Sequence, residues 1–265
     1  MTENFRFKKK FGQNFLKNAV IVTRIADAAT IEKNSLVIEI GPGAGALTKE
    51  LCQRADQVLC YEIDDSLELV LDKQLKDYSN VDVIYDDFLK RNVLEDLKKY
   101  SFQHLYVVAN LPYYITTPII TKLIDEQIPV EKVVVMVQKE VGERFTAKVG
   151  SRDYGSLTVF LNYYFEMEKL FLVGRGNFVP QPHVDSVVIR LTAKKDRLEV
   201  LNLPFFFQLV RDSFRFKRKN LRNNLKEYDL NVIESVLKKF HKDLTVRAEQ
   251  LTLEEFVALS NAFHA

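Results

Sequence analysis

Cysteine is scarce in this sequence: Cys52 and Cys60 are the only two among 265 residues, and tryptophan is absent. Two cysteines do not build the disulfide framework of a small secreted domain, and they fit the reducing cytoplasm, where we expect the protein. Neither cysteine belongs to a CxxC motif, and the four histidines are scattered along the chain. The sequence therefore contains no metal-binding pattern, and no metal is predicted.

Long hydrophobic runs are also missing. No apolar stretch approaches the roughly 20 residues that cross a membrane, and the basic N-terminus lacks the apolar core and cleavage site of a standard signal peptide. The composition, 47% hydrophobic and 28% charged, is ordinary for a soluble globular protein. A chain of 265 residues is long enough for one large domain or two, with a substantial core.

The net charge is only +2, but it is unevenly distributed. Residues 1–24 carry six Lys or Arg against one Glu, and residues 205–226 carry seven against one Asp. Residues 32–99 carry nine basic against fifteen acidic residues. Two basic segments around an acidic middle suggest a surface for a polyanion such as a nucleic acid. Solvated helix faces are the alternative, because most charge runs are of that kind.

Short apolar runs alternate with helical patterns in the first 150 residues. The predicted strands are residues 36–40, 58–61, 81–85, 105–109 and 133–137. The predicted helices are residues 46–54, 67–75 and 118–124. This alternation indicates βαβ units and therefore a mostly parallel sheet.

The pattern changes after residue 150. Residues 157–165 and 184–191 are predicted as strands with little helix between them, which favours an antiparallel pair at one sheet edge. Helices are predicted over residues 205–214, 218–225, 231–240 and 253–262. We therefore predict two domains, residues 1–196 and a helical domain over residues 197–265.

A glycine-rich loop, Glu39-Ile-Gly-Pro-Gly-Ala-Gly45, lies between the first predicted strand and helix. Glu62 ends the next strand, 21 residues after Gly41, a spacing suited to holding the hydroxyls of a ribose. The third glycine comes one residue early for a dinucleotide fingerprint, and no Gly-Lys-Ser/Thr follows as in a Walker loop. A nucleoside ligand without a pyrophosphate fits this loop best.

Two further strands end in polar groups. Asp86 and Asp87 follow the third strand, and Asp87 is our preferred acceptor for an adenine amino group. Asn110-Leu-Pro-Tyr113 follows the fourth strand. Its amide and carbonyl oxygens can accept hydrogen bonds from an exocyclic amine, and its ring can stack on a base. Because ligands bind at the carboxyl edge of such sheets, we predict a nucleobase pocket there; a simple turn is the alternative.

These motifs resemble the S-adenosylmethionine-dependent methyltransferases and, among them, the ribosomal RNA adenine N6-dimethyltransferase family. The segments that carry the resemblance are Lys10-Phe-Gly-Gln-Asn-Phe-Leu16, Asn110-Leu-Pro-Tyr-Tyr-Ile-Thr-Thr-Pro118, Phe178-Val-Pro-Gln-Pro-His-Val-Asp-Ser186 and Phe214-Arg-Phe-Lys-Arg-Lys-Asn-Leu-Arg-Asn-Asn-Leu225. The last of these resembles the basic helix of the bacterial small-subunit branch. Tyr114 departs from the Asn of many relatives, so the role of that side chain stays open.

The resemblance implies an α/β fold: a Rossmann-like class I methyltransferase with a mostly parallel seven-stranded sheet, plus a small all-α C-terminal domain. S-adenosylmethionine is the implied cofactor, with contacts at Asn14, Leu16, Gly41, Glu62, Asp87 and Asn110. The implied catalytic residues are Asn110, Leu111, Pro112, Tyr113 and Phe178, with the target adenine between Tyr113 and Phe178. The residues expected to bind RNA are Lys8, Lys9, Lys10, Arg215, Lys217, Arg218, Lys219 and Arg222.

The implied activity is the transfer of methyl groups to N6 of two adjacent adenines in small-subunit (16S) ribosomal RNA, during maturation of a 30S precursor. We expect a monomer that needs no membrane and no metal. One alternative is a large-subunit RNA adenine N6-methyltransferase that confers antibiotic resistance. A second is an assembly factor whose RNA binding matters more than its catalysis. A DNA adenine methyltransferase is disfavoured by Leu111, because such enzymes usually carry Asx-Pro-Pro-Tyr at that place.

Overall fold

The computed structural model describes residues 15–111 and 115–264, without the side chain of Phe15. In chain order its strands are β1 (Phe15–Leu16), β2 (Ser35–Ile40), β3 (Gln57–Glu62), β4 (Val81–Tyr85), β5 (His104–Asn110), β6 (Lys132–Gln138), β7 (Phe165–Val173), β8 (Phe178–Val179) and β9 (Ser186–Ala193). Strands β1 and β8 form a small antiparallel pair, and the others form one sheet of seven strands.

The large sheet has the order β4-β3-β2-β5-β6-β9-β7. Strands β4, β3, β2, β5 and β6 run parallel to one another, whereas β9 runs antiparallel to β6. This confirms the predicted mostly parallel seven-stranded sheet. Every residue of β2 is buried, as expected for a parallel strand covered by helices on both faces.

The helices in chain order are α1 (Ala19–Ala28), α2 (Ala46–Cys52), α3 (Glu68–Leu75), α4 (Val93–Leu97), α5 (Thr116–Asp125), α6 (Lys139–Phe145), α7 (Ser156–Tyr164), α8 (Leu203–Ser213), α9 (Leu221–Asn224), α10 (Leu230–Lys239) and α11 (Leu253–Asn261). Short 3-10 turns occur at Asp65–Leu67, Arg175–Asn177 and Ala248–Gln250. Within the two described ranges, none of the helices combines the length and the apolarity needed to cross a bilayer.

The described residues fall into two compact units. The sheet unit contains the described chain up to Gly142 together with Glu168–Ala193, and the helical unit contains Glu143–Met167 and the chain from Lys194 onwards. In this division Glu143–Met167 belongs with the C-terminal helices, whereas a single boundary at residue 196 puts it in the first domain. The division into functional domains 1–196 and 197–265 stays a prediction.

The two units have separate hydrophobic cores. Helices α1 and α2 pack on the sheet through side chains such as Ile25 and Leu51, which are fully buried. In the helical unit, α7, α8, α10 and α11 enclose a core rich in aromatic rings. Tyr163 and Phe206 lie in this core with their ring centroids 5.6 Å apart.

Two sequence-based element predictions are wrong. Residues 157–165 were expected to form a strand, but α7 occupies Ser156–Tyr164 and the strand β7 begins only at Phe165. Apart from Thr158 and Asn162 the run is apolar or aromatic, so periodicity does not separate a buried helix from a buried strand there. Residues 218–225 were expected to form a helix, but helical backbone is limited to Leu221–Asn224.

Candidate active site

Four neighbouring parallel strands end at the same edge of the sheet. In the order β4, β3, β2 and β5, their last residues are Tyr85, Glu62, Ile40 and Asn110. Parallel strands bring their carboxyl ends together, and this edge is where open α/β sheets bind ligands. The glycine loop, Glu62, the Asp86–Asp87 segment and Asn110 are therefore brought to one edge by the topology.

The glycine loop has the backbone that its sequence requires. Gly41, Gly43 and Gly45 have φ angles of 72°, 60° and 77°, a region that residues with a Cβ rarely adopt. A Cβ placed on Gly41 would meet no atom within 4 Å, so open space lies beside the backbone at that point. The loop therefore leaves room for a ligand to approach the main chain after β2.

Glu62 is fastened to this loop. Its Oε2 atom accepts a hydrogen bond from the Gly43 N–H at 3.0 Å, and its Oε1 atom accepts one from the Asp64 N–H at 2.9 Å. The side chain is almost fully buried, and this burial raises the pKa of the carboxyl group. A carboxylate has about four lone-pair sites, so Glu62 keeps acceptor capacity for a hydroxyl group of a ligand. The residues present fit a ribose.

Asp87 lies just beyond the end of β4. Its Oδ1 atom accepts a hydrogen bond from the Leu89 N–H at 3.0 Å, and its Oδ2 atom lies 3.6 Å from Lys90 Nζ. The side chain is about a quarter exposed. Phe88, by contrast, is buried, with its ring centroid 5.2 Å from that of Tyr61. The segment thus offers a partly accessible carboxylate above an aromatic core.

Glu39, at the start of the glycine motif, points into the protein. It is 1% exposed, and the Cys60 thiol donates a hydrogen bond to its Oε2 atom over 3.6 Å. Burial raises the pKa of Glu39 from 4.5 to about 7, and the nearby charge of Glu62 adds to the effect. A second carboxyl group therefore lies directly beneath the loop, and it titrates near neutral pH.

The Asn110 motif is described only in part. Asn110 is the last residue of β5, lies opposite Met136 of β6 in the register, and is partly buried. Leu111, which follows it, is buried. Pro112, Tyr113 and Tyr114 lie outside the described residues, and so do Lys8, Lys9, Lys10 and Asn14 near the N-terminus.

The N-terminal motif and the 178–186 loop are joined by the small sheet. Leu16 of β1 lies opposite Phe178 of β8, and the Lys17 N–H donates to the Asn177 carbonyl at 3.0 Å. The Asn18 side chain adds a hydrogen bond to Asn177 Oδ1 at 2.9 Å. Sequence reasoning missed this connection, since it links positions 159 residues apart and no local pattern reveals it.

Phe178 belongs to the hydrophobic core of the sheet unit. Its side chain is 2% exposed, and Leu16 packs against the same core. The ring therefore meets protein atoms on nearly all sides. Its predicted role beside the target adenine stays a prediction, and that role requires one face of the ring to become accessible.

The predicted RNA-binding residues of the helical unit are on its surface. Arg215, Lys217, Arg218, Lys219 and Arg222 are all exposed. Four of them lie before α9, in the turn that links it to α8, rather than on a continuous helix.

The fold and this edge define a class of protein. The sheet has seven mostly parallel strands, a glycine loop follows its first parallel strand, and an acidic residue ends the next strand. These features define the Rossmann-like methyltransferase fold. Two solved structures share it over nearly the whole chain. The 23S rRNA methyltransferase ErmE is 28% identical, with a TM-score of 0.78 over 95% of this chain and 100% of that one. A dimethyladenosine transferase from Plasmodium falciparum is 29% identical, with a TM-score of 0.79 over 94% and 97%.

The sequence comparisons narrow the class to one family. The family model for ribosomal RNA adenine dimethylase matches residues 4–264. The ribosomal RNA small subunit methyltransferase A of Bacillus cytotoxicus is 48% identical, over 97% of this chain and 91% of that protein. The protein of the same name from Bacillus mycoides is also 48% identical over the same shares. The chain belongs to the ribosomal RNA adenine dimethylase family.

Proposed function

We propose that this protein transfers methyl groups from S-adenosylmethionine to N6 of two adjacent adenines in small-subunit ribosomal RNA. The products are N6,N6-dimethyladenines, formed while the subunit matures. Membership of the adenine dimethylase family supports the reaction, and the names of the 48% identical relatives support the small subunit as the target. The protein acts as a monomer on a 30S precursor.

The observation that carries this proposal is the convergence of four strand ends. The loop after β2, Glu62 at the end of β3, Asp87 just after β4 and Asn110 at the end of β5 lie at one edge of the sheet. The methyl donor and the accepting amine must meet within a few ångströms. The proposed cofactor contacts and the proposed amine acceptor lie at the ends of neighbouring strands, which supports the proposal.

Residues of the sheet unit would hold the cofactor. Glu62 would accept hydrogen bonds from the ribose hydroxyls, Asp87 would accept one from the adenine amino group, and the Gly41 loop would let the ligand approach the main chain. Leu16 would contact it from the N-terminal motif, together with Asn14, which lies outside the described residues. When bound, S-adenosylmethionine supplies a methyl group on a positively charged sulfur, so transfer requires no nucleophile from the protein.

Asn110 orients the target amine. The lone pair of adenine N6 is delocalised into the ring, so the amine is a weak nucleophile until it is positioned. The Asn110 side-chain oxygen accepts one N6–H, and the carbonyl of Leu111 or Pro112 accepts the other. The base would lie between Tyr113, which is outside the described residues, and Phe178, whose buried ring must expose one face to take this role. The methylated amine is positively charged and acidic, so it releases one N–H proton to water after the transfer and no general base is required.

The two cysteines argue against a different base chemistry. Methylation of a base through a covalent thioether needs a thiolate nucleophile. Burial raises the pKa of Cys52 to about 12, and it raises that of Cys60 well above its ordinary value. Cys60 is fully buried within β3. Neither thiol is suited to attack a nucleobase, which agrees with direct transfer to an amine.

Transfer of a labelled methyl group to isolated ribosomal subunits tests the proposal. We expect incorporation into 30S subunits that lack their own methylation, none into 50S subunits, and dimethyladenine as the modified nucleoside by mass spectrometry. Incorporation into 50S subunits alone would favour the large-subunit alternative, and a modified base other than adenine would refute the reaction.

The variant Asn110→Ala tests the role of the amide. Loss of positioning at the reacting amine should lower kcat by about 100-fold, while RNA binding stays close to that of the unchanged protein. Asn231→Ala, an exposed position on α10, is the matched control and should keep full activity. If Asn110→Ala retained full activity, the proposed role of the amide would be refuted.

A further inference from the structure

The segment that joins α8 to α9 in the helical unit is anchored at its beginning. Phe214 turns inward, with ring centroids 6.1 Å from Tyr154 and 5.8 Å from Phe256. The backbone then folds back on itself, because the Lys219 N–H donates to the Phe216 carbonyl at 2.9 Å. The segment is thus a defined turn with an aromatic anchor.

Asn224 fixes the shape of this turn. Its side chain is buried and accepts a hydrogen bond from the Phe216 N–H at 3.1 Å. Its amide nitrogen donates to the carbonyl of Ser213 at 2.7 Å and lies 3.3 Å and 3.4 Å from those of Phe216 and Lys219. One buried amide therefore holds three points of the turn, which presents its side chains in a fixed arrangement.

The turn exposes an aromatic ring among cations. Phe216 is 54% exposed, although a phenylalanine normally buries its ring. The guanidinium carbon of Arg215 lies 5.6 Å from the centre of this ring. The other exposed cations of the segment are Lys217, Arg218, Lys219 and Arg222. No Asp or Glu occurs in residues 213–226.

Some other cations of the helical unit are paired with acids. Lys242 is paired with Glu255 at 2.7 Å, and Lys238 lies 3.5 Å from Glu234. Among the described residues, none of the five cations named for this turn forms an ion pair. Phe216 therefore lies among cations that have no directly paired acid within the described residues. Asp243, whose pKa is lowered chiefly by hydrogen bonds from Thr245, also interacts with the charge of Arg222.

We propose that Phe216 is a stacking platform for an unpaired base of the RNA substrate. This inference rests on the proposed function and extends it, because it adds a base contact to a surface that otherwise binds phosphates. An exposed ring next to several cations matches the two requirements for holding single-stranded nucleic acid, a stacking face and a positive track for the backbone. An acidic protein partner would satisfy the charges, but it gives no reason for an exposed ring in a turn held rigid from below.

Stacking and charge contribute to binding in ways that can be separated. Replacing a stacking aromatic by alanine weakens binding by about tenfold, and the loss persists at every salt concentration because no charge is removed. Replacing one phosphate-binding cation reduces the slope of log affinity against log salt by about 1. Phe216→Ala and Arg218→Gln therefore have different expected signatures.

Binding of the full-length protein to 30S subunits that lack the methylation, measured from low to high salt, tests the inference. We expect Phe216→Ala to bind about tenfold more weakly with an unchanged salt slope, and Phe216→Trp to restore the affinity. The matched control is Phe240→Ala, a partly exposed phenylalanine of the same unit whose neighbours Lys238 and Lys242 are paired with acids. It should bind as the unchanged protein does.

Equal affinity of Phe216→Ala and the unchanged protein across the salt range would overturn the inference. A photoreactive phenylalanine analogue at position 216 adds a direct readout. Cross-linking to an RNA nucleotide supports base stacking, whereas cross-linking to a ribosomal protein alone overturns it. The unchanged protein is first tested for methylation of 30S subunits, and failure of that test would refute the proposed function. If the unchanged protein is active, a Phe216→Ala variant that binds normally would refute only the stacking inference.

Discussion

The substitution Glu39→Gln tests the electrostatics beneath the glycine loop. Glu39 is 1% exposed, its Oε2 atom accepts a hydrogen bond from the Cys60 thiol, and its pKa rises from 4.5 to about 7, chiefly through burial. Gln has nearly the same shape but carries no titrating proton. The difference in pH dependence between the two proteins therefore reports the ionisation of this carboxyl group, together with its coupling to the nearby Glu62.

The sign and the size of the effect follow from the raised pKa. Between pH 4.5 and about 7 the unfolded chain has lost the Glu39 proton, whereas the folded protein keeps it. The folded state thus binds more protons, so the free energy of unfolding falls as pH rises through this window. Each unit of pKa difference changes the free energy of unfolding by about 1.4 kcal/mol, so above pH 7 the ionised Glu39 lowers it by about 3 kcal/mol. The neutral side chain of Glu39→Gln does not cause this decrease.

Urea unfolding followed by far-UV circular dichroism between pH 4.5 and 8 measures the effect. The free energy of unfolding of Glu39→Gln, taken relative to the unchanged protein, should rise by about 3 kcal/mol across this range. The control Glu95→Gln alters a carboxylate whose side chain is 62% exposed, and it should show no comparable rise. A constant difference between Glu39→Gln and the unchanged protein at all pH values would refute the reasoning.

Three further substitutions test other contacts. Glu62 accepts hydrogen bonds from two backbone N–H groups, and the amide of Glu62→Gln has only one acceptor oxygen. The variant should bind S-adenosylmethionine about 10- to 100-fold more weakly in calorimetry. Unchanged affinity would contradict the ribose role. Asn177→Ala removes the bond from Asn18, and it should raise the KM for the cofactor several-fold with a smaller change in kcat; an unchanged KM would contradict that link. Asn224→Ala should lower the free energy of unfolding by about 1–3 kcal/mol in urea unfolding. It should also speed hydrogen exchange of the Phe216 amide, which donates a hydrogen bond to the Asn224 side chain in the unchanged protein. Slow exchange at Phe216 in the variant would contradict the anchoring role.

The sheet could be predicted because its strands carry an unambiguous pattern. Strands such as β6 are apolar on both faces and are bounded by turns, and helices of amphipathic spacing separate them. The edge that holds Glu62 and Asn110 could be inferred as well, since parallel strands of a βαβ chain end on one side. The spacing from Gly41 to Glu62 reflects the length of one such unit.

Other features depend on contacts that no local pattern encodes. The helix α7 was mistaken for a strand because its core is supplied by distant rings, such as Phe206, 43 residues beyond Tyr163. The turn before α9 has the charge and spacing of a helix, but the side chain of Asn224 offers its backbone other hydrogen bonds. Tertiary partners decide the conformation in both cases, so local propensity cannot.

The pairing of β1 with β8 connects the N-terminal motif to the 178–186 loop. Leu16, a predicted cofactor contact, and Phe178, a predicted contact of the target base, face each other in one two-residue ladder. Asn177 reinforces this ladder through its carbonyl and its side chain. Within the described residues neither strand pairs with a further strand, so displacement of one removes the strand partner of the other. If the cofactor contacts Leu16 as proposed, its binding is therefore expected to stabilise the strand that carries Phe178.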